Sequence, residues 1–337
     1  MIDKDYSLNY HVSYRNTKRT IIKKLSFWFT LSFLLVILAL LAKNIFLDHR
    51  STNEFVNKDI ISPLAKGSQA VLAVTQNLLP DNSGLKKVVD SSLEGSTADY
   101  AVVVINLKSG EEYFYNEHKK FESASLYKLW IMVTIYKWIE EGKLSLDKVL
   151  TQDVKTLNER FKIDEETAER KEGTISLSVK DALDLMITKS DNYAALLLTL
   201  TIRLSQVQEF LNDYGFNDSK VGGADSLPIT TASDMAIFFN KLYKGEFSTP
   251  QNTREMISLL KRQVLNEKLP KNLPLNTPIA HKTGELNGFS HDAGIVYSPN
   301  GEYIIVVLSD SENPKGANER IADLSKNVYD YFNSSEN

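Results

Sequence analysis

Apolar positions follow three different patterns along the chain. From Leu25 to Ala42 the run LSFWFTLSFLLVILALLA carries no charge over 18 residues and has no polar face. As a helix rising about 1.5 Å per residue it would span about 27 Å, close to a bilayer core. Further on, AVVVINL (101–107) and EEYFYN (111–116) flank Lys108-Ser109-Gly110 and read as two strands of a hairpin. Helical spacing dominates from 125 to about 245, and β-branched, strand-like runs return at GIVYS (294–298) and YIIVVLS (303–309). In NERIADLSKNVYDYF, the positions Ile321, Leu324, Val328 and Tyr331 recur at helical spacing, so a last helix packs one face inward. The pattern predicts an α+β fold: a sheet built from both chain ends, covered by helices, with a helical lobe inserted between its halves.

The segment ahead of this fold predicts a membrane anchor. Arg15, Lys18, Arg19, Lys23 and Lys24 precede the apolar run, whereas Lys43, Asp48, His49 and Arg50 follow it. The positive-inside rule then places residues 1–24 in the cytoplasm as a basic tail, residues 25–47 in the bilayer as a single-pass anchor, and the rest outside. A cleaved signal peptide is the rival reading. It fits less well, because the apolar stretch exceeds the usual length and LALLAKN lacks a clean cleavage site. A buried core helix would not carry five cations just before it. Residues 48–82 read as a tether: polar at first, then amphipathic around PLAKGSQAVLAVTQNLLP, then the turn-forming DNSG at 81–84. Residues 83–334 remain as the main domain.

Composition removes several function classes. A net charge of −4 over 337 residues gives no basic field for nucleic acid, which is dropped as a partner. The chain has no cysteine, so disulfides, thiolate nucleophiles and cysteine metal sites are excluded. His11, His49, His118, His281 and His291 show no ligand spacing, and neither a metal nor a cofactor is expected.

Candidate chemistry begins at Ser125-Leu-Tyr-Lys128. A helix starting at the serine would put the lysine on the same face, among Leu126, Leu129, Trp130 and Val133. Apolar surroundings penalise an ammonium and lower its pKa, so the amine can take the serine proton and make a nucleophile. Ser-x-x-Lys also begins at Ser83, Ser145 and Ser258, which read as a turn, a solvated segment and the surface of an amphipathic helix. Two further motifs single out Ser125: Ser190-Asp191-Asn192 and Lys282-Thr283-Gly284, in that order. A second Lys-Ser-Gly, at 108–110, precedes the serine and reads as the hairpin turn.

With these three motifs the chain resembles the penicillin-recognising serine enzymes, specifically the class A β-lactamase-like group, over about residues 83–334. The resemblance implies a five-stranded antiparallel sheet with helices on both faces. It makes Ser125 the acylated nucleophile, Lys128 its base or proton carrier, and Ser190 the relay to the leaving nitrogen. Asn192 would hold the lysine and the substrate amide, Lys282 and Thr283 would face the substrate carboxylate, and Gly284 would allow close approach of its strand. The backbone N–H groups of Ser125 and Glu285 would form an oxyanion hole. Asp191 reads as structural, and Tyr127 and Tyr193 as wall or packing residues.

One departure limits the resemblance. Efficient class A enzymes carry a glutamate in an omega loop that activates the deacylating water. The corresponding stretch here, FNDSKVGGADSLPITTASDMA, looks shortened and holds no glutamate, with Thr230-Thr231 at the following helix start. Asp225 is the acid nearest the right place, and a turn-stabilising aspartate is its plainer reading. The expected function is an anchored serine hydrolase, located outside the membrane and forming an acyl-enzyme with a β-lactam or a D-Ala-D-Ala-like peptidoglycan stem peptide, with slow deacylation. The alternatives are a penicillin-binding D,D-carboxypeptidase and a drug-sensing or wall-binding module. The short cytoplasmic tail argues against an elaborate sensor, and Ser-Asp-Asn, where carboxylesterases of this scaffold show a tyrosine motif, argues against an esterase.

Overall fold

The computed structural model describes residues 83–223 and 226–334. Helix α1 (Ser83–Leu93) leads into the strands β1 (Asp99–Asn106) and β2 (Glu112–Tyr115). Three strands from the other end, β7 (Ile279–Leu286), β8 (Phe289–Ser298) and β9 (Gly301–Asp310), complete a five-stranded sheet in the order β2-β1-β9-β8-β7. Every pairing in it is antiparallel.

The uninterrupted apolar runs follow from burial on both sheet faces, because successive strand residues point to opposite sides. Tyr100, Val102 and Val104 of β1, with Tyr303, Ile305 and Val307 of β9, join one core. That core is closed by Leu85 and Val89 of α1 and by Ile321, Leu324 and Val328 of α9 (Pro314–Asn333). Ala101, Val103, Ile304, Val306 and Leu308 face the larger core on the other side. The hairpin turn at 106–111 closes where Asn106 Oδ1 accepts from the N–H groups of Lys108 and Ser109, at 2.9 and 3.0 Å.

The helical lobe occupies the span between β2 and β7. It comprises β3 (Phe121–Glu122), a 3-10 turn (Ala124–Tyr127), α2 (Lys128–Glu140), β4 (Val149–Asp153), α3 (Val154–Phe161), β5 (Thr174–Ser178), α4 (Val179–Thr188), α5 (Asn192–Ile202), α6 (Leu204–Asp213), β6 (Ile229–Thr230), α7 (Ala232–Lys244) and α8 (Pro250–Lys261). Residues 128–136 of α2 are all buried, which makes it the central helix of the lobe.

Three expectations need correction. Residues 81–84 were expected to be a turn, but Ser83 and Gly84 open α1, where Lys86 pairs with Asp90 one turn on. The span from 125 to 245 is not wholly helical: β4 and β5 pair through Leu150↔Leu177 and Gln152↔Ile175, two short strands too mixed in polarity to stand out. The α-helix begins at Lys128 rather than Ser125, because the serine sits in the 3-10 turn with Leu126 N bonded to Ser123 O at 3.0 Å. The expected anchor, residues 25–47, the tail and the tether lie outside the described residues, among which no helix is long and apolar enough to cross a membrane.

Candidate active site

The serine turn is held from three sides. Phe121 pairs with Thr230 and Glu122 with Ile229, and Ser123 N donates to Pro228 O at 2.8 Å. His291 of β8 is fully buried beneath the same segment. Its Nδ1 accepts from Ser309 N at 3.1 Å, so Nε2 carries the proton and donates to Glu122 O at 2.8 Å. Burial holds its pKa down at about 4, so the ring stays neutral at physiological pH. From the sheet edge, β7 comes close to the turn at Gly284. A Cβ there would lie 3.2 Å from Ser123 O and 3.3 Å from Ala124 Cβ, contacts that only a bare backbone relieves. Ala124, next to Ser125, is in the left-handed region at φ 44°, a local strain held by these surroundings.

Lys128 opens α2 with its side chain fully buried. Its Nζ donates to Ser190 O at 2.6 Å, Asn192 Oδ1 at 2.7 Å and Ser190 Oγ at 3.2 Å. Burial is the main cause that brings its pKa down to about 7, against the opposing pull of Asp191 and Glu169. The positive end of α2 acts in the same direction as burial. Half of this lysine is therefore a neutral amine near pH 7, the state that can accept a proton.

Ser190 and Asn192 reach Lys128 because of how the chain turns between α4 and α5. Ser190 adopts φ 59°, and Asp191 caps α5 by accepting from Ala194 N at 2.8 Å. Asp191 thus shapes the turn. Lys282, also fully buried, comes from β7 and donates to Ser190 Oγ at 3.0 Å and to Thr283 O at 2.9 Å. Burial lowers its pKa well below the ordinary lysine value, with Lys128 adding repulsion. Two amines occupy the lone pairs of Ser190 Oγ, which leaves the hydroxyl proton free to be donated elsewhere.

Hydrogen bonds thus join Lys128, Ser190, Asn192 and Lys282, with Thr283, Gly284 and Glu285 on the same strand as Lys282 and the turn that carries Ser125 lying against Gly284. Asp225 lies outside the described residues. The stretch it belongs to folds back on itself: Lys220 pairs with Ile229 and Gly223 with Ser226. Gly222, at φ 80°, would put a Cβ 2.6 Å from Ser226 O, so the tight return needs glycine. Thr231 ends it by capping α7, accepting from Asp234 N at 3.2 Å.

Of four further participants, Tyr193 was expected as a wall or packing residue and the other three escaped sequence reasoning. Glu169, exposed on the segment between α3 and β5, accepts from Asn192 Nδ2 at 2.6 Å, which completes a chain Lys128–Asn192–Glu169. Tyr193 is buried and its hydroxyl pins that segment, accepting from Arg170 N at 3.1 Å and lying 2.7 Å from Arg170 O. Lys268, buried in the loop before β7, donates to the side chain of Glu285 at 2.6 Å. His291 is the fourth. Each acts across a long sequence separation, and single residues of these types carry no motif; only the adjacency of Tyr193 and Glu285 to the known triplets marked them.

Comparison with known proteins agrees with this geometry. Beta-lactamase VEB-1 of Pseudomonas aeruginosa is 26% identical over 298 residues, covering 77% of this chain and 93% of its own. Extended-spectrum beta-lactamase PER-1 of the same organism is 24% identical over 269 residues, covering 73% and 87%. Among solved structures, PBP-A superposes with a TM-score of 0.65 at 22% identity, covering 75% of this chain and 97% of that one. A beta-lactamase from Sphaerobacter thermophilus gives 0.66 at 20% identity, covering 75% and 98%. The model of the Beta-lactamase enzyme family matches residues 84–332, about three quarters of the chain. The protein therefore belongs to that family and is a serine hydrolase of the β-lactamase kind.

Proposed function

We propose that the protein is a membrane-anchored enzyme acting outside the cell membrane, in which Ser125 forms an acyl-enzyme with β-lactams or D-Ala-D-Ala-like peptides and releases it slowly. The observation that carries this reading is the placement of Ser190 Oγ between two buried amines, one with a pKa near 7. Ser125 Oγ attacks the amide carbonyl while its proton passes to neutral Lys128. The oxyanion forms against the N–H groups of Ser125 and Glu285. As the C–N bond breaks, Ser190 gives its proton to the leaving nitrogen and is reprotonated from the lysines, which restores Lys128 as a neutral amine. Asn192 and Thr283 orient the substrate amide and carboxylate.

Slow release rests on what the chain lacks. No glutamate occurs from Phe210 to Gly245, where the deacylating carboxylate of class A enzymes would stand. A PBP-A variant forms an acyl-enzyme with penicillin G, which supports a penicillin-binding D,D-peptidase as the second reading. Anchoring rests on the apolar run from Leu25 to Ala42 and its basic flank.

The test is intact mass against time for the full chain in detergent, mixed with penicillin, with Ser125→Ala as control. A persistent adduct on Ser125 that the control lacks is the expected result. Rapid loss of the adduct with accumulation of hydrolysed drug would instead make it an efficient β-lactamase, and labelling of the control would refute the site. Washed membranes should retain the protein with its catalytic part open to external protease; recovery in the soluble fraction sinks the anchor.

A further inference from the structure

One ion pair beside the reactive residues has no part in the chemistry above. Lys268 is held in place rather than free: the next residue, Leu269, is fully buried, donates its N–H to Asp292 Oδ2 at 3.1 Å and accepts at its carbonyl from Ser325 Oγ at 2.8 Å. Asp292 is itself buried and bonded to His281 Nδ1 at 2.9 Å. The lysine side chain is only 3% exposed, and its amine bonds Glu285 Oε1 at 2.6 Å, whereas the glutamate side chain is 63% exposed. Its charge also opposes the protonated forms of Lys282 and His291.

The asymmetry distinguishes this pair from surface decoration. An exposed pair contributes little either way, whereas a buried ammonium without an anion is costly. Lys268 therefore needs a carboxylate, and the one it has stands at the water-exposed end. Thr283 and Glu285 are two residues apart on β7 and share a face of the strand, so the amine lies on the side from which Thr283 would meet a substrate carboxylate.

We propose that the Glu285 side chain occupies, in the free protein, an anion position formed by Lys268 beside Thr283, so that a carboxylate-bearing substrate binds by displacing it. Glu285 is then a specificity residue through its side chain, in addition to its backbone. It lowers the apparent affinity for anionic substrates by the fraction of time the position is occupied, and it leaves uncharged analogues of the same acyl group less affected. This inference rests on the proposed acylation of Ser125.

The experiment compares Ser125 acylation by penicillin and by its methyl ester, in the full chain and in Glu285→Gln. An opened position raises the acid-to-ester rate ratio about three- to tenfold in the variant, and added sulfate cancels the gain by filling it. Glu285→Asp, which keeps the charge on a shorter arm, gives an intermediate ratio and stands in if Glu285→Gln does not fold. An unchanged ratio, or a fall with the acid, overturns the proposal. A thermal-shift titration with sulfate separates the two levels. Stabilisation confined to Glu285→Gln supports the anion position even if no compound acylates Ser125, in which case it is the proposed acylation that fails.

Discussion

Lys128 from the helical lobe and Lys282 from the sheet both bond the same oxygen, Ser190 Oγ, and both are fully buried. Their settings differ. Lys128 stands at the head of the central helix with three oxygen acceptors and two acids, Asp191 and Glu169, favouring its charge. Lys282 stands on an edge strand with one carbonyl and one hydroxyl, and there Asp292 and Glu285, which favour its charge, are set against the positive charges of Lys128 and Lys268. The helical side thus holds an amine balanced near neutrality, while the sheet side holds one that gains from an arriving anion. On the proposed reading one lysine exchanges protons and the other receives a carboxylate.

The largest expected effect comes from removing the proton-exchanging side. Lys128→Ala should lower acylation by about a thousandfold or more, since the proposed reaction hands the Ser125 proton to its amine. Circular dichroism checks that the variant is folded. Residual acylation within tenfold of the parent would move the base function to another group.

Next in size is the pH response. Neutral Lys128 is the active form, so acylation should rise with pH, about tenfold per unit below the midpoint, and level off above about 7. Stability should move in the same direction. The folded lysine binds fewer protons than the unfolded one between about 7 and the ordinary value of 10.5, so its contribution makes the fold more stable as pH rises through that window. Urea midpoints from pH 7 to 9 in the parent and in Lys128→Met measure this contribution: the slope is shallower in the variant. A rate that falls with rising pH across 7 would contradict the assignment.

The contact between the two sides can be tested by adding one methyl group. Gly284→Ala places a carbon 3.2 Å from Ser123 O and 3.3 Å from His291 Cδ2, where neither neighbour is a flexible chain end. The expected cost is about 1–3 kcal/mol of stability, with slower acylation as β7 and the serine turn separate. An unchanged melting temperature and rate would mean that the turn gives way freely.

What the sequence made legible follows the same division. The sheet was readable because AVVVINL and YIIVVLS are buried on both faces and so carry unbroken apolar runs. The three short motifs could be linked because they follow one another in order, and residues from all three meet in the structure. The pair β4 and β5 was hidden, since outward positions such as Val149 are apolar and Gln152 interrupts the pattern. The serine turn was read as a helix start because its 3-10 geometry depends on Ala124 at positive φ, a conformation that contacts with β6, β7 and β8 impose. Glu169, Lys268 and His291 act through distant partners, and tertiary packing alone brings them to the site.

The smallest expected effect is the most specific to the helical side. Glu169 does not touch Lys128. It bonds Asn192 Nδ2, whose Oδ1 faces the amine, and its charge favours the ammonium across that amide. Glu169→Gln keeps an acceptor for Asn192 while removing the charge, so Lys128 should lose its proton more easily. The acylation midpoint should then shift below 7 by a fraction of a pH unit, with the plateau rate changed less than the midpoint. A variant that lost plateau rate without any shift would make Glu169 a positioner of Asn192 alone. A midpoint that moved upward would mean that the amide chain no longer presents its oxygen to the amine, and that hydrogen bonding rather than charge is the main way Glu169 acts on Lys128.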